Sequence, residues 1–221
     1  MSSNWQVILL SLKVAIVATV ILLPVGVFFG WLFSRKSFPG RTLLEGAVNV
    51  PLVLPPIVTG YFLLATLGPN TAPGSLLAAI GIELAFTWKA AVVASAVVSL
   101  PLLVRAVRVA VDGVDPGLED AARMLRANEW QIFLRVTLPL AGNGIVAGTV
   151  LAFARALGEF GATIVFASNM EGVRTIPLAI FTYLNQIDGD EKAQALVWAS
   201  IVLAYLSIVV NEWLLRRMKH A

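Results

Sequence analysis

Five apolar runs, each long enough to cross a lipid bilayer, divide this chain. The hydrocarbon core takes about 20 predominantly apolar residues in helical form. The runs at 7–33, 43–67, 86–111, 144–167 and 193–215 all reach that length. In lipid every backbone N–H and C=O must be satisfied by the protein itself, which leaves helices or closed barrels. None of the runs alternates apolar and polar residues as a barrel strand does. The expected fold is an all-α membrane protein: one transmembrane domain over 1–221, with five helices and a polar loop over 112–139.

Composition agrees and excludes several activities. The chain is 58% hydrophobic and 13% charged, against about 25% charged for a soluble domain, so most faces must meet lipid. It has no cysteine, which removes disulfides, thiolate metal sites and cysteine nucleophiles. The single histidine, His220, stands in the C-terminal tail, away from any site for acid–base work. There is no G-x-x-x-x-G-K-[ST] loop, and hence no ATP phosphate cradle of the usual kind. The first run is not a signal peptide: no basic residue precedes it and Arg35 and Lys36, not small residues, follow it. The net charge of +3 carries no nucleic-acid signature, and its placement matters more than its size.

Eleven of the 16 lysines and arginines fall on one side of the five spans: Arg35, Lys36 and Arg41; Arg105, Arg108, Arg123, Arg126 and Arg135; Arg216, Arg217 and Lys219. The opposite loops, about 68–85 and 168–192, hold Arg174 and Lys192 beside Glu83, Glu171, Asp188, Asp190 and Glu191. The positive-inside bias places the N-terminus outside and the C-terminus and the 112–139 loop in the cytoplasm. Short helices are expected in the outer loops at Leu76–Ile82 and Pro177–Leu184, the second either a shelf for a soluble partner or a plain packed loop.

Four local patterns carry functional meaning. Pro51, Pro55 and Pro56 interrupt the second span; each removes a backbone donor and clashes with the preceding turn. The helix is expected to be kinked, either as a pore-lining mobile element with Thr59 and Gly60 or as a static bend. Arg105 and Arg108 share a helix face at the inner headgroup level, facing anionic lipid or a partner. In the fourth span Arg155 and Glu159 stand four apart, among Gly148, Gly158 and Gly161. Charges at that depth face a bundle interior or water, so the pair either lines a conduction path or locks two helices. In the 112–139 loop, Asp115-Pro116 reads as an N-cap followed by a first-turn proline. Glu119 and Asp120 suit the positive helix end. Ala121, Ala122, Met124 and Leu125, flanked by Arg123 and Arg126, form a small face that either enters a groove in another protein or lies on the headgroups as a surface amphipathic helix, a reading that the acidic first turn weakens. Lys13, in the first span, has a stem long enough to snorkel to the headgroups.

These patterns together resemble the permease subunits of bacterial molybdate ABC importers, of the type I importer superfamily. The resemblance rests on Arg35–Gly40, Pro55-Pro56 with Thr59-Gly60, Glu119–Arg123, Thr137–Leu140, Gly148–Thr163 and Arg174–Pro177, spread over nearly the whole chain. It implies a type I ABC-importer permease fold in which 112–139 is the coupling-helix loop. Glu119, Asp120, Ala121, Ala122, Arg123, Leu125 and Arg126 would engage the ATPase, and Pro55, Pro56, Thr59, Gly158, Glu159, Phe160, Gly161 and Thr163 would form the translocation path or gate. The implied partners are a second copy of the chain, two cytoplasmic ABC ATPase subunits that bind ATP and Mg, an extracytoplasmic molybdate-binding protein and membrane lipid. The chain itself would hold no cofactor or metal and would not be an enzyme. The implied cargo is molybdate, or tungstate. The alternatives are a sulfate or thiosulfate permease of the same superfamily, a secondary transporter and an intramembrane enzyme; the last would rest on Arg155 and Glu159 alone. One departure stands out: Arg126 occupies the place where the superfamily loop usually has glycine. Either the loop turns elsewhere, at Asn128, or coupling is altered.

Overall fold

The computed structural model describes residues 4–187 and 189–219, without the side chains of 218 and 219. Asp188 and His220 lie outside the described residues, as does the side chain of Lys219. Among the described residues twelve α-helices follow one another: α1 (Asn4–Arg35), α2 (Arg41–Val53), α3 (Pro56–Leu67), α4 (Ala72–Ala79), α5 (Trp88–Asp112), α6 (Pro116–Met124), α7 (Glu129–Ile132), α8 (Leu138–Leu140), α9 (Gly142–Leu157), α10 (Gly161–Phe166), α11 (Ile176–Leu184) and α12 (Asp190–Lys219). A π-helical turn, Phe133–Thr137, joins α7 to α8. Among the described residues α1, α5 and α12 are each long and apolar enough to cross a membrane, and the number rises to five if each of two bent helix pairs counts as a span.

The bundle is built on α5. Its most apolar window is 61% buried, against 11% for the same window of α12, so α5 is the central helix and α12 a peripheral one. α1 runs parallel to α5, and Gly26 and Gly30 make the approach possible. A β-carbon at Gly26 would fall 2.4 Å from Leu103 Cδ2, and one at Gly30 2.6 Å from Val107 Cβ. α9 packs on α5 antiparallel in the same manner, with Gly144 against Ala110 and Gly148 against Ala106. Small residues at these crossings give the backbone proximity that helices need in lipid, where burial alone supplies no drive.

Both interrupted spans depart from expectation. The run 43–67 is not one kinked helix: α2 and α3 meet at 117°. The cause lies in two consecutive residues that each precede a proline. Leu54 (ψ 142°) and Pro55 (ψ 132°) are both extended, because a following proline ring excludes the helical region. One proline kinks a helix, whereas this pair ends one and starts another. The fourth run, expected over 144–167, ends at Leu157 and resumes at Gly161 after the break Gly158–Phe160. At its other end, the helical stretch Glu129–Leu140 meets α9 at 73°. Phe86, expected inside the third span, precedes α5 at φ 61° and donates its N–H to Phe166 O at 3.0 Å. The first outer helix is α4 over Ala72–Ala79, four residues earlier than expected, because Thr71 caps it by accepting from Gly74 N. The second matches its expectation. Its Ile176 N–H is taken by Ser11 Oγ of α1 at 2.7 Å, a cap supplied from another helix.

Arg105 and Arg108 each reach a side chain of α2. Arg105 Nε donates to Asn49 Oδ1 at 2.8 Å, and Arg108 pairs with Glu45 at 3.3 Å, so both tie α2 to α5.

Candidate functional site

Two regions collect the residues singled out by the sequence: a polar hairpin at the C-terminal ends of α1 and α5, and the meeting point of the two helix breaks.

The hairpin begins as expected, with Asp115 Oδ1 accepting from Gly117 N at 2.8 Å ahead of Pro116. α6 then runs to Met124, and the chain turns back at Arg126, whose φ is 61°. The turn therefore falls at Arg126, where the resemblance leads one to expect glycine, and not at Asn128. Asn128 instead starts α7 with a reciprocal capping box to Gln131, at 2.8 and 3.0 Å. An arginine there adopts a conformation that its β-carbon disfavours by about 1–2 kcal/mol.

Glu119 is placed contrary to expectation. It does not present itself to a partner; it is buried, at 3% exposure. Arg35 Nε, at the end of α1, lies 3.0 Å from Glu119 Oε2, and the Thr137 hydroxyl donates to Glu119 Oε1 at 2.6 Å. The same guanidinium donates through Nη2 to Val114 O at 2.9 Å. The physical reason is helical phase: α6 turns one side to the bundle, and Glu119 stands on it while Asp120, Ala121, Arg123, Met124 and Leu125 stand on the other. Ala122 is half-buried. The π-turn helps bring Thr137 within reach. Pro139 cannot donate to Arg135 O, and Leu138 N reaches back five residues to Phe133 O, widening the helix just before the proline.

A second clamp holds the hairpin's outer side. Glu129 accepts from Arg123 Nε and Lys36 Nζ, both at 2.8 Å, and Arg123 also pairs with Asp120 at 2.6 Å. The Arg123 hydrogen bond, followed by that of Lys36, pulls the Glu129 carboxyl down to about 2 from its ordinary 4.5. The same Glu129 and Asp120 hydrogen bonds push Arg123 further above its ordinary value. Trp31, Phe133 and Trp130 stack in sequence, with centroids 5.3 and 5.5 Å apart. The hairpin is thus seated on α1 while its tip, Met124 and Leu125 at 87% and 84% exposure, stays open. Two bulky apolar side chains stand exposed at a charged tip, next to a turn.

At the second region α3 and α10 touch through their glycines. A β-carbon at Gly60 would fall 2.6 Å from Ala162 O, and one at Gly161 2.7 Å from Pro56 Cβ. Pro56, Thr59, Gly60, Gly161 and Thr163 are therefore brought together; Pro55 is exposed at the bend. Glu159, 2% exposed, bridges the break. It pairs with Arg155 at 2.6 Å and accepts from Ala162 N at 2.7 Å, which ties the last turn of α9 to the first of α10. Thr163 donates back to Phe160 O at 2.8 Å. The Thr59 hydroxyl is buried with no hydrogen-bond partner among the described residues. Gly158 and Phe160 border an apolar cavity of about 570 Å³ walled by Ile176, Pro177 and Phe181, with no charged residue in its lining. Such a cavity offers no compensation to a dianion. No cluster of three metal-ligating side chains occurs among the described residues.

Thr137 entered only as part of the Thr137–Leu140 motif and Glu129 not at all. Thr137 bonds Glu119, 18 residues away, and Glu129 joins Arg123, six away, to Lys36, 93 away; no helical periodicity links these residues.

A sequence model described as "Binding-protein-dependent transport system inner membrane component" matches residues 22–220. The chain is 51% identical over 215 residues to "Molybdenum transport system permease protein ModB" of Escherichia coli (strain K12), covering 96% of this chain and 94% of that protein. It is 37% identical over 184 residues to "Sulfate transport system permease protein CysT" of the same strain, covering 81% and 66%. Among solved structures, a methionine ABC transporter, MetNI, in an inward-facing conformation superposes with a TM-score of 0.70 at 19% identity, covering 97% of this chain and 94% of that one. A bacterial ABC transporter importing the acidic polysaccharide alginate superposes with a TM-score of 0.73 at 18% identity, covering 98% and 80%.

Proposed function

The chain belongs to the family of binding-protein-dependent transport system inner membrane components, and from that premise we propose that it is the membrane-spanning permease of a molybdate importer. The observation that carries the reading is the 51% identity to a molybdenum permease over 96% of the chain, against 37% over 81% to a sulfate permease. Molybdate and sulfate are both tetrahedral dianions, so the pore alone is a weak discriminator. Selection rests with an extracytoplasmic binding protein that delivers the anion to a pore formed by two copies of this chain.

The ATP and Mg belong to two cytoplasmic ATPase subunits, whose grooves receive the Met124–Leu125 tip. Closure of the ATPases moves the hairpin as a body, because Glu119 fixes it to Arg35 at the end of α1 and Glu129 fixes it to Lys36 just beyond. The π-turn and α8 carry the displacement into α9. At the far end of α9, Arg155 and Glu159 pass it across the break to α10 and so to α3. The gate is then the α3–α10 contact, whose packing leaves no slack for a β-carbon. In this reading the N-terminus lies outside and the C-terminus in the cytoplasm.

Cellular molybdenum under scarce molybdate and excess sulfate, in a strain without another uptake system, tests the proposal. Loss on deletion and recovery on re-expression are expected. Unchanged molybdenum with lost sulfate accumulation would move the chain to the sulfate permeases.

A further inference from the structure

Two cavities lie end to end along α1, outside the hairpin and the helix breaks. The first, of about 410 Å³, is walled by Val7, Leu9 and Leu10 and carries the cations Lys13 and Arg174. The second, of about 380 Å³, is a groove between α1, α9 and α12, lined by Ile16, Val20, Phe153, Leu206 and Val210. An exposed stripe on α1 (Leu9, Lys13, Ile16, Val20) joins them.

Chemistry and depth differ between the two. Lys13 Nζ sits 3.9 Å from the centroid of the Trp88 ring, and tryptophan marks the headgroup level of a membrane. Arg174 is steadied by donating from Nε to Asn169 O at 3.0 Å. Glu171, in the same loop, has an interaction of its own. From Lys13 to Val20 the helix descends about 10 Å, inside the ~15 Å that one leaflet contributes to the hydrocarbon core. A cationic chamber beside Trp88 thus stands next to an apolar groove on the inward side of the same helix.

We propose that the two cavities together hold one anionic phospholipid, its phosphate beside Lys13 and Arg174 and an acyl chain in the groove. A free oxyanion would satisfy the cations and leave the groove below them unfilled. A zwitterionic lipid would fill the groove and bring its own cation to a site that already has two.

Native mass spectrometry of the detergent-purified transporter complex tests the proposal, with phosphatidylglycerol and phosphatidylcholine titrated separately. Phosphatidylglycerol should bind on the order of tenfold more tightly. Lys13→Gln combined with Arg174→Gln should erase that preference. Ile16→Trp, which fills the groove and leaves both cations, should weaken both lipids. Equal retention of the two lipids by the unaltered complex would overturn the proposal, as would an intact preference in the double variant. Displacement of phosphatidylglycerol by millimolar molybdate would also overturn it, assigning the cations to a free oxyanion. If the double variant fails to assemble, Ile16→Trp and the molybdate competition still decide.

Discussion

Glu119 and Arg35, 84 residues apart in sequence, form a part-buried ion pair of 3.0 Å that seats the hairpin on the end of α1. The glutamate that the sequence offers as a docking residue is an internal strut. Asp120, Ala121, Arg123, Met124 and Leu125 are the exposed residues around it.

Breaking that strut should loosen the hairpin without unfolding the bundle. Removing one partner of a buried pair costs about 3 kcal/mol, and Glu119→Ala also orphans the Thr137 hydroxyl. Amide exchange over 116–124 should rise while that of α5 stays unchanged, and Arg35→Ala should add little to Glu119→Ala. Full additivity of the two substitutions would show that the pair does not act as a unit.

The positive φ of Arg126 makes a second prediction. Arg126→Gly relieves about 1–2 kcal/mol of backbone strain and returns part of it through the greater freedom of glycine in the unfolded chain. A net gain below ~1 kcal/mol, with uptake retained, is expected from thermal unfolding in detergent. A loss of stability would mean that the arginine side chain contributes more than its backbone costs.

Glu129 gives the hairpin a pH limit. Its carboxyl titrates at about 2 in the folded protein against an ordinary 4.5. Its stabilisation is therefore complete above about 4.5 and is lost as pH falls through about 2. The pair is half exposed, so water screens its worth. A ¹³C titration of the Glu129 side chain should show the low midpoint, and Arg123→Gln should raise it more than Lys36→Gln does, because the Arg123 hydrogen bond is the larger cause. Equal shifts would contradict the assignment.

The α3–α10 contact is testable by adding a single carbon. Gly60→Ala would place Cβ 2.6 Å from Ala162 O, a backbone atom that cannot swing aside. Overpacking of this kind costs about 1–3 kcal/mol, and uptake should fall sharply. Gly46→Ala, with nothing within 4 Å, is the control and should gain stability slightly through helix propensity. Equal tolerance at both positions would remove the contact from the gating account.

Much of this was legible in the sequence, and the exceptions have identifiable causes. Apolar length gave α1, α5 and α12 directly, and Asp115-Pro116 gave the start of α6 because capping is a local event. The bend at Leu54-Pro55 was marked by its prolines but not measured by them, and the break at Gly158–Phe160 lay inside a run that read as one span. Hydropathy does not register direction, so a run of apolar residues reads alike whether straight or bent by 117°. The inward turn of Glu119 and the pairing of Arg105 and Arg108 with α2 depend on which elements pack together, which no local pattern states.

The central claim is ATP-driven molybdate transport through this chain. It is tested most directly in proteoliposomes that carry the permease and its ATPase, with binding protein outside and ATP inside. Labelled molybdate should accumulate only with ATP and binding protein, and a large excess of sulfate should leave the rate unchanged. Accumulation without ATP, or its abolition by sulfate, would contradict the account.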